Sequence, residues 1–100
     1  MHVDKHVEGR HTRLSLAGEL TIYDALALQQ VLLASLAESD SLELDLTAVT
    51  ELDTAGFQLL FSSGRASRAA HKRFAICAHS DATREVFELL RADALFGEPA

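Results

Sequence analysis

The fold of this chain is decided by one stretch, Ser41-Leu-Glu-Leu-Asp-Leu-Thr-Ala-Val-Thr-Glu-Leu-Asp-Thr-Ala-Gly-Phe-Gln-Leu-Leu-Phe61. Leucines at positions 42, 44 and 46 alternate with acidic residues, which is the period of a half-buried strand. After a short polar turn, Asp53 opens a helical pattern that continues to about Lys72. An Asp just before a helix accepts hydrogen bonds from free backbone N–H groups, and its charge suits the positive end of the helix dipole. The stretch therefore predicts a strand, a turn and a helix start that exposes Thr54 beside Asp53.

The length and charge of the chain narrow the classes of function. One hundred residues are enough for a single domain with one core, and 48% hydrophobic with 24% charged residues is typical of a globular protein. The net charge is −6 and the isoelectric point is near 5.2. Because nonspecific nucleic-acid affinity comes mainly from Lys and Arg that neutralise phosphates, neither DNA nor RNA is expected as a partner.

The N-terminal residues and the single cysteine bear on location. Residues 1–5 lack the basic and then apolar pattern of a signal peptide, and no apolar run reaches the roughly 18 residues that span a membrane. We therefore expect a cytoplasmic protein without direct membrane insertion. Cys77 has no partner for an internal disulfide and lies in an apolar run from Phe74 to Ala78, which predicts a buried structural thiol.

The first half of the chain predicts two strands and a helix before the central stretch. Strands are expected at residues 2–8 and 12–17, with a turn between them and the more polar first strand at an edge. Thr21 with Asp24 resembles a capping box and starts a helix near Ile22 that continues to Ala37. Its apolar stripe comprises positions 22, 25, 26, 28, 32, 33 and 36. A strand, helix, strand unit of this length favours parallel pairing of the two strands.

The second half predicts one more strand and helix. Residues 73–78 are nearly all apolar, as expected for a central parallel strand. Ser80 is the predicted cap of a third helix, whose inward residues are Val86, Phe87 and Leu90. We expect Leu95 and Phe96 to fold back on the core, so that the domain spans residues 1–96 and residues 97–100 form a tail.

The helix after Asp53 has two candidate faces. At 100° per residue, positions 55, 59, 63, 66 and 70 share a side with small residues, which predicts the face toward the sheet. Phe57 and Phe61 lie on nearly the opposite side, close to Arg65 and Arg68. Aromatic residues beside Arg are enriched at protein interfaces, so this side is a candidate docking face. The alternative is that a neighbouring helix covers the two phenylalanines.

Sequence signatures of catalysis and of cofactor binding are absent. The chain has no Gly-x-Gly-x-x-Gly, Walker loop, His-Glu-x-x-His or Cys-x-x-Cys, so no enzyme activity, cofactor or metal is predicted. His2 and His6 share a face of the first strand, but a metal site needs further ligands at fixed distances, so a solvated edge is the preferred interpretation. Ser62 and Ser63 lie in the middle of a helix and are interpreted as packing or surface hydroxyls.

The order of these elements and the turn at Asp53-Thr54-Ala55-Gly56 resemble the STAS domain of bacterial anti-sigma factor antagonists. In those proteins the turn reads Asp-Ser-Ser-Gly and a partner kinase phosphorylates the second Ser. Here Ala55 stands at that second position, and Thr54 occupies the first. The form Asp-Thr-Ala-Gly also resembles the small STAS subunit of bacterial lipid-transport ABC complexes. Residues 18–23 with residues 52–60 are similar to stand-alone STAS proteins associated with chemotaxis-type signalling.

The resemblance implies an α/β domain with a small mixed sheet, helices mainly on one face and a binding function without catalysis. It makes Thr54 the candidate phosphoacceptor. The candidate partner-binding residues are Asp53, Thr54, Ala55, Gly56, Phe57, Phe61, Arg65 and Arg68. The implied partner is a kinase-like anti-sigma factor or a chemotaxis-type signalling component. The alternative is a subunit that binds and stabilises the ATPase of a lipid-transport ABC complex.

Overall fold

Seven elements make up the part of the chain that the computed structural model describes, residues 1–90. The strands and helices alternate after an initial pair of strands, as the sequence predicts. Their bounds are β1 His2–Glu8, β2 His11–Leu20, α1 Ile22–Glu38, β3 Ser41–Leu52, α2 Thr54–Ala69, β4 Arg73–His79 and α3 Asp81–Leu89. The predicted packing of Leu95 and Phe96, the domain end at residue 96 and the tail fall outside the described residues.

The four strands form one mixed sheet in the order β1-β2-β3-β4. β1 and β2 are antiparallel, and Gly9 in the turn between them has a φ of +58°, a backbone conformation that glycine adopts without strain. β2–β3 and β3–β4 are both parallel, because a helix crosses the sheet between each pair. The predicted mixed α/β architecture is confirmed.

β3 is longer than the sequence predicts. The expected polar turn after residue 46 is part of the strand, which continues to Leu52 and pairs with β2 through Ala48 to Leu52. Val49 and Leu52 are buried in the core, and β2 follows as far as Leu20, past irregularities near Ala17 and Gly18. The two strands therefore end side by side, with Leu20 opposite Leu52, and each leads at once into a helix.

The core lies between the sheet and one helical layer. Leucines at alternate positions of β2 and β3 are fully buried on the helix side, including Leu14, Leu16, Leu42, Leu44 and Leu46. The opposite face of the sheet is polar, with Nε2 of His11 2.7 Å from Oε1 of Glu43 and Arg13 3.8 Å from Asp45. This asymmetry confirms the prediction that the helices pack mainly on one face.

The predicted apolar stripe of α1 is wider than the face that the helix buries. Leu28, Leu32 and Leu36 are buried, whereas Ile22, Leu26 and Leu33 are 64%, 68% and 53% exposed. A helix on a sheet can bury about a third of its circumference, so the outer half of a broad stripe stays in contact with solvent. Three large aliphatic side chains thus lie on the surface of α1.

Two predictions for the second half are wrong. Cys77 is exposed rather than buried, because its strand, β4, has a paired neighbour on one side only within residues 1–90 and its thiol lies on the polar sheet face. Partial burial still raises the pKa of this thiol. Leu90 is also exposed, since α3 ends at Leu89 and buries Phe87 instead. The cap at Ser80 is confirmed, with reciprocal hydrogen bonds between Ser80 and Thr83.

Candidate functional site

The carboxylate of Asp53 joins the first turns of two helices. Its Oδ1 accepts a hydrogen bond from the backbone N–H of Gly56 at 2.8 Å, which caps α2 as predicted. Its Oδ2 accepts a hydrogen bond from the backbone N–H of Ile22 at 2.9 Å, which belongs to the first turn of α1. One side chain therefore satisfies free donors at two helix starts.

α1 is not capped by the predicted box of Thr21 and Asp24. Thr21 stands at the N-cap position, but its side chain makes no capping hydrogen bond, and the expected box with Asp24 does not form. The backbone carbonyl of Thr21 accepts from the N–H groups of Asp24 and Ala25 at 3.0 Å each. The side-chain cap of α1 comes instead from Asp53, which is 31 residues away in the chain.

Gly56 permits the close approach of the two turns. A Cβ at this position would lie 2.5 Å from the carbonyl oxygen of Leu20 and 2.9 Å from Cδ1 of Leu52. The N–H of Asp53 donates to the same Leu20 carbonyl at 3.2 Å, which ties the end of β3 to the end of β2. Position 56 therefore has no room for a side chain, and a backbone hydrogen bond joins the ends of the two strands.

The side chains that this turn presents to solvent come from both helices. Thr54, the first residue of α2, is exposed as predicted. Beside it, α1 presents Ile22 and Tyr23, the latter 92% exposed. Glu19 and Glu51, register partners at the ends of β2 and β3, are also exposed. The candidate site is this end of the molecule, where two positive helix ends lie among carboxylates.

The predicted core face of α2 is wrong, and the alternative that a neighbouring helix covers the phenylalanines holds for Phe57. The buried residues are Gly56, Phe57, Leu60, Ser63, Gly64 and Ser67, of which the predicted core face includes only Ser63. Phe57 is 6% exposed and meets Phe87 edge-to-face at 5.4 Å, so it belongs to the core and not to an exposed docking face. Burying an aromatic ring removes far more apolar area from water than burying alanines.

Buried serines make the observed orientation of α2 possible. The hydroxyl of Ser63 donates to the carbonyl of Leu59 and that of Ser67 to the carbonyl of Ser63, both at 2.8 Å. A hydroxyl that bonds to its own helix carries little penalty on burial. The serine side can therefore lie against the core, while the alanine side is free to face solvent.

The remaining predicted residues lie at two places on the surface. Asp53 and Ala55 are partly exposed beside Thr54, whereas Gly56 is buried. Phe61 is partly buried and stacks on Phe57 at 6.4 Å, and the guanidinium of Arg65 lies 5.9 Å from its ring centre. Arg65 and Arg68 are exposed about one and two turns beyond Phe61 on α2. A role in partner binding stays a prediction for these residues. Gly56 and Phe57 are buried, so they can only position the exposed residues and not contact a partner themselves.

Metal binding and membrane crossing find no support within the described residues. Within residues 1–90, no group of three or more His, Cys, Asp or Glu side chains is placed to hold a metal ion. Among the helices of that region, none is long and apolar enough to cross a membrane. The turn at Asp53 presents two helix N-termini, the hydroxyl of Thr54 and the exposed apolar side chain of Ile22. These groups are suited to binding a partner.

Sequence reasoning missed the contribution of α1 to this site. Ile22 and Tyr23 follow the end of β2, and the parallel pairing of β2 with β3 brings them beside Thr54. The predicted parallel pairing of the strands before α1 and α2 already indicated this contribution. The carboxyl ends of parallel strands meet at one edge of the sheet, so the helices that follow them start side by side.

Comparisons with known proteins identify the fold and the family. Residues 3–97 match the family described as "Mlab, STAS domain". Among solved structures, an anti-sigma factor antagonist from Mycobacterium paratuberculosis is 26% identical, with a TM-score of 0.80 over 99% of this chain and 86% of that chain. Unphosphorylated SpoIIAA, an anti-sigma factor antagonist, is 15% identical, with a TM-score of 0.80 over 94% of this chain and 84% of that chain. Phosphorylated SpoIIAA from Bacillus is 16% identical, with a TM-score of 0.74 over 89% of this chain and 83% of that chain. No curated protein sequence matches the chain.

Proposed function

This chain belongs to the STAS domain family, and from that membership we propose that it is a non-catalytic regulatory module that binds a signalling protein. The partner class is a kinase-like anti-sigma factor or a chemotaxis-type component, and the docking surface is the end of the molecule around Asp53 and Thr54. The observation that carries the proposal is the double cap, since Asp53 caps two helix starts and the adjacent Thr54 is exposed.

Thr54 is the proposed point of regulation. It is exposed at the first position of α2, where a phosphate would meet free N–H groups and the positive ends of two helices. A phosphate adds about −1.5 to −2 charge at neutral pH, which the nearby Asp53 opposes. Phosphorylation would therefore leave the fold intact and change the charge of the docking surface.

A second candidate function follows from the Ala55 form of the turn. Asp-Thr-Ala-Gly resembles the turn in the small STAS subunit of lipid-transport ABC complexes, and the family that matches this chain is described as Mlab, STAS domain. In that role the same end of the molecule would bind and stabilise an ABC ATPase, without a need for phosphorylation.

The two candidates are separated by binding measurements with purified partners. Receptor or kinase genes beside the gene for this protein would supply partners for the first function, and permease and ATPase genes would supply them for the second. Titration of the full chain against each purified product identifies the partner. Measurable binding to an ABC ATPase alone, unaffected by a kinase, would replace the first function with the second.

Absence of catalysis is part of the proposal. It is supported by the missing catalytic motifs and by the structural role that Asp53 already has. The purified protein should show no hydrolase or transferase turnover. Reproducible turnover that is lost when one acid or His is replaced without unfolding would contradict it.

A further inference from the structure

The basic residues of this acidic chain are concentrated where α2 ends and β4 begins. Between residues 54 and 80 the sequence contains no Asp or Glu, although it holds four of the nine Lys and Arg residues. These four, which we call the basic patch, lie within nine residues of one another: Arg65, Arg68, Lys72 and Arg73. The three arginines are exposed and Lys72 is partly buried. The patch is therefore a cationic surface on a protein with a net charge of −6.

Two carboxylates at the same end of the molecule are paired with bases outside the patch. Arg10 donates two hydrogen bonds of 3.1 Å to Asp40. Lys5 donates one of 3.2 Å to Glu38, at the end of α1. Since each of these acids has its own cation, this end of the molecule carries more positive than negative charge.

Lys72 joins the patch to an apolar cleft between the ends of α1 and α2. Its backbone N–H donates to the carbonyl of Ser67 at 2.8 Å, and its ammonium donates to the carbonyl of Leu36 in the last turn of α1. The cleft has a volume of about 240 Å³ and is lined mainly by Leu33, Leu36, Ala37, Ala66, Ala70 and Lys72. Leu33 is 53% exposed, so the cleft is open to solvent and has room for one apolar side chain.

The charge of the rest of the chain restricts what the patch can bind. Outside residues 54–80 the sequence holds five Lys or Arg and all fifteen Asp and Glu, a net charge of −10. A membrane surface or a nucleic-acid backbone presents negative charge over an area larger than the patch, so it would repel this acidic remainder. A short segment with a few carboxylates contacts the patch alone. Three of the four cations are arginines, whose planar guanidinium groups pair well with carboxylates.

We infer that the basic patch binds an acidic segment of a partner protein, which places one apolar side chain in the adjacent cleft. Carboxylates of the segment pair with the exposed arginines, and its apolar residue packs between Leu33 and Ala66. The charges set the specificity and the rate of association, and the buried side chain adds affinity.

This surface is separate from the docking surface around Asp53 and Thr54. Thr54 begins α2 and Arg68 lies near its end, so the two are roughly 21 Å apart along the helix. That distance is more than twice the Debye length of about 8 Å at physiological salt. The inference therefore goes beyond the proposed function and does not depend on it.

Three synthetic 12-residue peptides test the inference on the isotope-labelled full chain by amide NMR. The first has glutamates on both sides of a central leucine, the second has glutamines in place of the glutamates, and the third has serine in place of the leucine. The first should shift amides of residues 33–37 and 65–73, and raising the salt from 50 to 500 mM should weaken it at least threefold. The second should bind at least tenfold more weakly than the first, and the third at least threefold more weakly.

Variants of the protein make the test specific. Arg65→Gln and Lys72→Gln should each weaken the first peptide at least threefold, and Arg65→Gln removes no hydrogen bond to the end of α1. Arg84→Gln removes one positive charge from an exposed position on α3 and should leave the affinity unchanged. Equal effects of Arg65→Gln and Arg84→Gln, or equal binding of the glutamine peptide, would overturn the inference.

Other occupants of the patch give different results. Binding to phosphatidylglycerol vesicles without binding to the first peptide would assign the patch to an anionic membrane and overturn the inference. A concentration-dependent oligomer that Arg65→Gln dissociates would assign it to the acidic end of a second copy, with the same consequence.

Thr54→Glu separates this inference from the proposed function. The folded variant should bind the first peptide as tightly as the parent, because the added charge lies at the other end of α2. Lost peptide binding would show that the peptide docks at the Asp53 end, which overturns the inference and leaves the proposed function standing.

Discussion

The carboxylate of Asp53 and the backbone N–H of Ile22 are 2.9 Å apart, although the two residues begin different helices. The same carboxylate accepts the N–H of Gly56, so the orientation of α1 and the orientation of α2 depend on one side chain. This relationship gives Asp53 a structural reason to be acidic that is separate from any contact with a partner.

Replacing Asp53 should measure the two caps separately. Asn is about as good an N-cap as Asp, but its amide has one acceptor oxygen and can serve only one helix. Asp53→Asn should therefore destabilise the protein by about 1 kcal/mol and Asp53→Ala by about 2 kcal/mol. Urea unfolding measures both, with the exposed Asp81→Asn as a control expected within about 0.5 kcal/mol of the parent. Equal stability of the Asn variant and the parent would contradict the double cap.

Gly56→Ala should destabilise the domain although alanine is the better helix former. The gain in helix propensity is about 1 kcal/mol, but the added Cβ would lie 2.5 Å from the carbonyl oxygen of Leu20, a backbone atom that also accepts the N–H of Asp53. Such overpacking against backbone costs typically 1–3 kcal/mol or more, so we expect a net loss of about 2 kcal/mol. Ser62→Ala, at an exposed position of the same helix, shows the smaller propensity gain of a change to alanine that meets no clash. Thermal unfolding compares the two, and a stabilised Gly56→Ala protein would show that the turns can separate.

Phe57 and Phe61 should respond differently to truncation. Phe57 is nearly fully buried against Phe87, so Phe57→Ala should cost about 3–5 kcal/mol, a large share of the stability of a small domain. Phe61 is partly exposed, and Phe61→Ala should cost about half as much. Where Phe57→Ala does not fold, Phe57→Leu allows the partner titration, and unchanged binding by that variant is the expected result. A stable Phe57→Ala protein with weakened binding would restore the docking role.

Most of the architecture could be predicted from sequence because it depends on local patterns. Alternation of leucines defined β3, Asp53 and Ser80 marked two helix starts, and a helix between strands implied parallel pairing. The end of β3 was predicted too early, since residues 47–51 are polar or small apart from Val49, and only pairing with β2 shows that they are in a strand. The end of a strand that is determined by pairing with another strand cannot be predicted from the local sequence pattern.

The orientation of α2 was predicted wrongly for a different reason. Its sequence offers an alanine side and an aromatic side, and a helical projection does not tell which one the sheet accepts. The choice depends on Phe87 from α3, which forms part of the site for Phe57, and on serines that bond to their own helix. The second cap made by Asp53 was equally invisible, because it joins residues 31 positions apart.

His79 should make stability depend on pH below neutrality. Its Nδ1 lies 3.0 Å from the hydroxyl of Thr83, and its ring centre lies 4.7 Å from that of Phe87. Burial is the larger cause that lowers the pKa of His79, and the positive charge of Arg84 is the smaller one. The His79 ring is therefore protonated at a higher pH in the unfolded chain than in the folded protein. The contribution of His79 to stability is present above about pH 6.5, and it is lost as the pH falls through the lower pKa of the folded state. The free energy of unfolding should therefore decrease more from pH 7.5 to pH 5 in the parent than in His79→Gln. Equal decreases would show that His79 does not titrate differently in the two states.

The exposed Thr54 lets the charge of the docking surface be changed without disturbing the core. Thr54→Glu places a carboxylate at the first position of α2, where the helix dipole stabilises it and the carboxylate of Asp53 repels it. These effects oppose each other, so the free energy of unfolding should change by less than about 1 kcal/mol. Partner binding should be lost, because the added charge lies beside Ile22 and Tyr23 on the surface proposed to dock.

Thr54→Ala separates the two possible uses of the hydroxyl. Binding that survives this change indicates that Thr54 serves as a modification site, since the surface then tolerates loss of the hydroxyl but not gain of charge. Lost binding indicates that the hydroxyl contacts the partner directly. Calorimetric titration of both folded variants against the purified partner distinguishes these outcomes, with Gln30→Glu, an exposed position in the middle of α1, as the control for added charge. A folded Thr54→Glu protein that binds as tightly as the parent would place the turn outside the interface.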